Sequence, residues 1–287
     1  MDTDPGHDGS VLTNAEIEHF VDVGYVRVEE AIPRAVAVEC RDVVLNQLGV
    51  SRSGPWRNPV VRGLADDDVI SRAAESPRLV EAVSQLLRGE PWDPRPNLGL
   101  FVVRCPSTDD PGDTGWHIDA SFEGPDTDNL FNWYVNYRSQ GRGLLLLCLL
   151  SDVGADNAPT RIRDRSHHAM PGRLRPFGEG GVHGLSTPVD GIDGPVSLAT
   201  GRAGDVYLCH PFLVHAATWP HRGSAPRVIA QPPISLHGPL RLDADERDLS
   251  PVARPIAAAL AASASAPRGS RAARARPPRP TPSDGAS

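Results

Sequence analysis

His117 and Asp119 sit two apart in the stretch Gly115-Trp116-His117-Ile118-Asp119. On an extended strand, side chains two apart share a face, so an imidazole and a carboxylate can reach one ion while Trp116 and Ile118 point the other way. Two histidines and a carboxylate on one face, with open positions opposite, suit non-heme Fe(II), because dioxygen and a cosubstrate need room on the metal. The pair alone carries little weight. The chain has ten histidines, and about one His-x-Asp is expected by chance. The third ligand has to come from elsewhere.

The apolar run from Asp205 to His215 holds two further histidines, His210 and His215. Five apart, they face opposite ways on a regular strand, although Pro211 can bend or bulge it, so one of them is the expected ligand. The turn formers of Trp219-Pro-His-Arg-Gly-Ser-Ala-Pro226 and the strand-like Arg227-Val-Ile-Ala-Gln231 then read as a hairpin centred on His221. That hairpin sets His215 opposite Arg227, with Cβ atoms roughly 5 Å apart. An arginine beside a metal face can take the distal carboxylate of a chelating cosubstrate through two parallel hydrogen bonds, which a lysine cannot copy.

The order His117-x-Asp119, His215, Arg227, with Gly204-Asp205 opening the second strand and the phrase His-Pro-Phe-Leu-Val-His, resembles the phytanoyl-CoA dioxygenase family of Fe(II)/2-oxoglutarate oxygenases. Further matches are Leu12-Thr-Asn-Ala-Glu-Ile-Glu-His-Phe with Gly24-Tyr-Val, Leu149-Leu-Ser-Asp-Val, Asn157-Ala-Pro-Thr and Ser166-His167, so that the likeness spans about residues 11 to 236. The resemblance implies His117, Asp119 and His215 as iron ligands and catalytic residues, Arg227 as the 2-oxoglutarate anchor, a basic second anchor near Arg104, and His167 in a structural turn. It further implies that dioxygen drives decarboxylation of 2-oxoglutarate to succinate and CO2 while a C–H bond of the substrate is oxidised. A retained Asp119 favours hydroxylation or desaturation over halogenation, since halogenases of this superfamily lack the carboxylate. Two departures stand out: Asp164-Arg165 replaces the usual Pro-Gly before Ser-His, and Ala217 replaces a small hydroxyl residue two after the distal histidine.

Several residues are candidate substrate contacts. Trp116 adjoins the ligand pair. Asn132, Tyr134 and Asn136 share one face of an expected strand, Phe131 to Tyr137, and either line the pocket or face solvent. Arg161 and Arg163 share a strand face and either hold an anionic group or lie on the surface.

The elements that must position these residues are read from their own signals. Thr13-Asn-Ala-Glu16 fits a capping box and Gly24 ends the helix it opens. Pro33 opens a second helix, and Pro77 to Leu87 a third. Ser51 to Asp68 reads as a loop, with Trp56 and Arg57 as contacts if it covers the pocket. Leu98 to Val103 is a strand delivering Arg104, Gln140 to Gly143 a hairpin turn, and Leu144 to Leu150 a strand buried on both faces. The Gly- and Pro-rich residues 171 to 203 are a candidate seat of substrate choice.

Composition bounds the rest. A chain of 287 residues with 39% hydrophobic content and 29 prolines supports one core with many short strands. The expected fold is mainly β, a double-stranded β-helix (jelly roll, cupin-like) with flanking α-helices. The expected domains are a disordered 1–10, a single oxygenase domain over 11–250 and a disordered Ala/Arg/Pro-rich tail over 251–287. Residues 253–287 hold six arginines and one acid, against 23 arginines and 35 acids elsewhere. An acidic body argues against nucleic acid as a partner. Four dispersed cysteines and the lack of a long apolar run point to a cytoplasmic protein, not membrane-bound, acting on a small molecule. Two rival functions stay open: a cupin-like metalloenzyme that does not use 2-oxoglutarate, and a metal-retaining binding protein of the same fold.

Overall fold

The computed structural model describes residues 10–124 and 133–265. In chain order these form α1 (Asn14–Val23), β1 (Tyr25–Val28), α2 (Arg34–Gln47), β2 (Val60–Leu64), α3 (Asp68–Ala74), α4 (Pro77–Leu86), β3 (Leu100–Arg104), β4 (Tyr134–Val135) and β5 (Arg142–Leu149). There follow β6 (Arg161–Arg163), α5 (Met170–Leu174), β7 (Val182–His183), β8 (Val196–Leu198), β9 (Val206–Cys209), β10 (His215–Ala216), β11 (Arg227–Ala230), β12 (Pro233–Ser235) and α6 (Ala253–Ser265).

All strand pairings are antiparallel. The large sheet runs β1-β9-β5-β11-β3-β2, with β12 also on β5, and a small sheet runs β10-β6-β8. Alternation along β5 divides its side chains between two cores. Leu144, Leu146 and Cys148 pack outward with Phe20, Val44, Ile70 and Leu86 of the helices. Leu145, Leu147 and Leu149 pack inward with Val102, Ile229 and Tyr207 of the same sheet and Ile162 of the small one. The strand is therefore buried on both faces, as its continuous apolar run predicts.

Local signals explain the helix ends. Thr13 Oγ1 accepts from Glu16 N at 3.2 Å and Glu16 Oε2 from Thr13 N at 2.8 Å, a reciprocal cap. Gly24 closes α1 at φ 100°, where any Cβ would also meet His167 Nδ1 at 2.5 Å. The four cysteines are buried and unpaired. Among the described residues no helix is long and apolar enough to cross a membrane.

Two expectations are corrected here. Within Ser51 to Asp68, Val60–Leu64 is a strand with all five residues paired to β3, because its β-branched side chains outweigh the polar flanks. The region after residue 250 is not a loose tail throughout: Ala253–Ser265 is a helix whose Ala253 and Ile256 are fully buried. Its alanines are strong helix formers, and Pro255 falls in the first turn, where its missing N–H has no intrahelical partner to lose.

Candidate metal centre and its cleft

His117 and His215 are brought together by an isolated antiparallel bridge, His117 N donating to His215 O at 3.0 Å and His215 N to His117 O at 2.9 Å. Their rings lie 4.5 Å apart between centroids. Asp119 Oδ1 is 3.8 Å from Nε2 of each histidine, and one ligand atom from each of the three residues lies within 4.8 Å of the others. Each Nδ1 contacts a backbone carbonyl, His117 with Gly115 at 2.9 Å and His215 with Leu213 at 3.0 Å. A carbonyl only accepts, so both Nδ1 atoms carry the proton and both Nε2 lone pairs are free for a metal.

The local chain fixes these rings. Ser166 Oγ accepts from Val214 N at 2.8 Å, and Val214 O accepts from Arg163 N at 2.9 Å, clamping the residue before His215 from two sides. His215 Nε2 is buried with no hydrogen-bond partner among the described residues. Burial and the neighbouring His117 push the His215 pKa down to about 4, so the ring is neutral near pH 7. Two imidazole nitrogens and a carboxylate with an open side fit the donor set of a non-heme Fe(II) centre.

His210 and His215 differ in what their ring nitrogens meet. His210 Nε2 donates to Val252 O at 3.1 Å and its Nδ1 accepts from Phe212 N at 3.1 Å, leaving no lone pair for a metal. His167 lies in a buried turn with Nε2 on Val21 O at 3.0 Å.

Sequence reasoning missed Arg142, assigned to a turn, which in fact opens β5. Its Nη1 lies 3.4 Å from Asp119 Oδ2 and its Nη2 donates to Ala120 O. Burial pushes Asp119 up, but His215, Arg142 and His117 together hold it below the usual carboxylate range. The only sequence signal was a charged residue at the head of a wholly apolar strand.

His117 and His215 line a cleft of about 710 Å³ together with Arg62, Arg104, Arg227 and Asp113. The expected hairpin between His215 and Arg227 is not formed. β10 pairs with β6 in the small sheet, β11 pairs with β3 and β5 in the large one, and His221 bridges Ser107. The turn-rich segment crosses between sheets instead of folding back within one, yet both side chains reach the same cleft. Arg227 is 3% exposed, its Nη1 donates to Ala158 O, and its Nε has no partner among the described residues. Burial, then the charges of Arg104 and Arg62, lower its pKa to about 9.

Arg104 stands opposite Arg227 on β3, and its Nη2 donates to both oxygens of Asp113, at 2.9 and 2.8 Å. Arg62, from the segment expected to be a loop, pairs with the same carboxylate. Burial raises Asp113, but Arg104 and Arg62 bring it below its ordinary value.

The expected substrate contacts divide. Trp116 lines the cleft. Arg161 and Arg163 stack on its ring, their guanidinium carbons 4.8 and 4.4 Å from the centroid. Arg161 also donates to Thr114 O at 2.8 Å and Ala217 O at 3.2 Å, so of the pair expected either to hold an anionic group or to lie on the surface, this arginine braces the entry to the His117 segment. Asn132 lies outside the described residues. Tyr134 is in a two-residue strand, its ring 5.8 Å from that of His183. Asn136 is buried in a turn, its Oδ1 accepting from Arg138 N and Gln140 N and its Nδ2 donating to Glu179 O. Tyr134 and Asn136 are not part of the cleft lining, because the strand ends at Val135 and the expected alternation stops there. Trp56 donates to Ser51 O and packs on the outer core, and neither it nor Arg57 lines the cleft. From residues 171–203, Gly184, Leu185, Thr187, Val189 and Asp190 do line it.

No protein-family model and no curated protein matches the chain. Solved structures do. A Salmonella typhimurium LT2 protein is 12% identical, covering 78% of this chain and 70% of its own, with a TM-score of 0.57. The epimerase SnoN, solved with Fe3+, alpha ketoglutarate and nogalamycin RO, is 19% identical over 77% and 82%, TM-score 0.52. EctD from S. alaskensis, with bound Fe, is 16% identical over 80% and 79%, TM-score 0.52. At these identities the likeness is one of fold: antiparallel sheets with helices packed outside.

Proposed function

We propose that this chain is an Fe(II)/2-oxoglutarate-dependent oxygenase that oxidises, by hydroxylation, an unactivated C–H bond of a small-molecule metabolite or natural product. Its sheets and helices are read as one jelly-roll oxygenase domain that includes α6. The observation that carries the reading is the convergence of His117 Nε2, His215 Nε2 and Asp119 Oδ1, with both histidines lining one cleft beside a buried, partly unpaired Arg227.

In this reading the two imidazoles and the carboxylate hold the iron, and iron with 2-oxoglutarate and dioxygen supplies the oxidising chemistry. The chain's own residues bind and orient. Arg227 takes the far carboxylate of 2-oxoglutarate through charge-assisted hydrogen bonds, strengthened by burial. Arg104 adds positive charge beside it, and Asp113 fixes the direction of Arg104. Trp116, stiffened by Arg161 and Arg163, forms a wall at the metal. Gly184, Leu185, Thr187, Val189 and Asp190 line the same cleft, offering apolar Leu185 and Val189 and the Thr187 hydroxyl to a substrate.

SnoN and EctD, with iron in their structures, support this assignment by fold. The test is turnover. Purified protein with Fe(II), 2-oxoglutarate and a panel of metabolites is expected to form succinate, and His215→Ala is expected to form none. Succinate formation unaffected by His215→Ala contradicts the site.

A further inference from the structure

Arg142 has no part in holding cosubstrate or substrate in the reading above, yet its guanidinium is buried at the metal cluster. A charge so placed is costly unless it meets a partner. The division of Asp119 between its neighbours identifies that partner. Oδ1 lies 3.8 Å from both histidine Nε2 atoms, while Oδ2 pairs with Arg142 Nη1 at 3.4 Å, an ion pair without a hydrogen bond. Nη2 of the same arginine donates to Ala120 O, gripping the backbone next to the ligand.

The turn carrying Arg142 is built to hold it there. Asn136 Oδ1 accepts two backbone N–H groups of the turn, and Ser139 Oγ donates to Arg142 O at 2.9 Å. Gly141, at φ 79°, packs so closely on the chain after Asp119 that a Cβ would meet Ser121 O at 2.9 Å.

The geometry points to Arg142 as a positioning residue that restricts Asp119 to one donor oxygen, keeping the coordination position its second oxygen would take open for another ligand. This rests on the proposed metal role of Asp119. A carboxylate with both oxygens free can chelate a divalent ion, whereas an oxygen held in an ion pair with a guanidinium does so only by giving up that contact.

The test uses cobalt(II) as a spectroscopic probe on the full chain. Wild type, Arg142→Gln and Arg142→Lys are titrated with cobalt by calorimetry and by visible absorption, with metal-free unfolding curves alongside. Arg142→Gln is expected to change the shape and intensity of the d–d bands as the second oxygen joins, and to bind cobalt at least as tightly as wild type, because a donor is gained and a like charge removed. Arg142→Lys, which keeps a cation beside the second oxygen, is expected to keep bands close to those of wild type. A folded Arg142→Gln with unchanged bands overturns the inference, whatever its affinity. Should that variant not fold, Arg142→Met provides the same uncharged comparison with an apolar side chain in the space. Wild type that binds no cobalt overturns the metal reading itself, and this inference with it.

Discussion

Arg104 and Arg227 are direct cross-strand partners on β3 and β11, two buried guanidinium groups at one rung of the ladder, with Asp113 bonded to only one of them. Like charges placed opposite one another are destabilising, so the arrangement favours an incoming anion at Arg227. Arg227→Ala is expected to weaken 2-oxoglutarate binding by about 10- to 100-fold, the equivalent of about 1.5–3 kcal/mol for hydrogen bonds to a charged group. Arg227→Lys should not restore it, lacking the planar fork. Titration of the metal-loaded protein checks this, and an unchanged cosubstrate affinity would remove Arg227 from the site.

Acid should destabilise the fold through two buried histidines, His167 and His210, outside the His117–Asp119–His215 cluster. His167 is brought down to about 3 by burial first and then by His168, and His210 is well below its ordinary value for the same leading reason. Both are buried neutral in the folded state and titrate near pH 6.5 when unfolded. As pH falls from about 6.5 toward 3, the unfolded chain takes up protons that the folded chain refuses. Stability is therefore highest above pH 6.5 and drops by about 1.4 kcal/mol per pH unit for each such histidine. Urea midpoints at pH 7, 6 and 5 measure the slope, which a His167→Gln variant should reduce. A flat profile would contradict the burial of these rings.

Helix α6 should behave as part of the core. Ile256→Ala is expected to cost about 2–5 kcal/mol, as for other fully buried isoleucines. A loss below half a kcal/mol in denaturant unfolding is what a loose tail would give.

Arg165 holds a left-handed backbone, φ 64°, at the position where the resembled family carries glycine. A side chain there costs about 1–2 kcal/mol, and its ion pair with Asp22 is solvent-exposed and contributes little. Arg165→Gly is expected to leave stability equal or raise it by up to about 1 kcal/mol, read as a higher melting temperature. A clear loss would show that the Asp22 pair matters more than the backbone.

What the sequence made legible was local. His117 and Asp119 share a face because they are two apart, and the Thr13 to Glu16 cap and the doubly buried Leu144 to Leu150 follow from periodicity and capping chemistry. What stayed hidden depends on where distant strands meet. A turn-rich segment such as Trp219 to Pro226 looks alike whether it returns in one sheet or crosses to another, so Arg227 was placed in the right cleft by a hairpin that does not exist. Arg142 and Arg62 come from segments with no motif, and only the register of β5 and β2 brings them to Asp119 and Asp113. The helix at Ala253–Ser265 was hidden by composition: alanine and arginine with scattered prolines suit a solvated end, yet Ala253 and Ile256 join the core, with Ala257 and Leu260 packed against it.

The most direct test of the central claim is an anaerobic titration of the metal-free protein with Fe(II) and then 2-oxoglutarate, followed by visible absorption, with His215→Ala in parallel. A metal-to-cosubstrate charge-transfer band in the wild type, absent from the variant, is the expected result. Iron bound at His117, Asp119 and His215 with no band on adding 2-oxoglutarate would contradict the account and favour a metal site with a different chemistry.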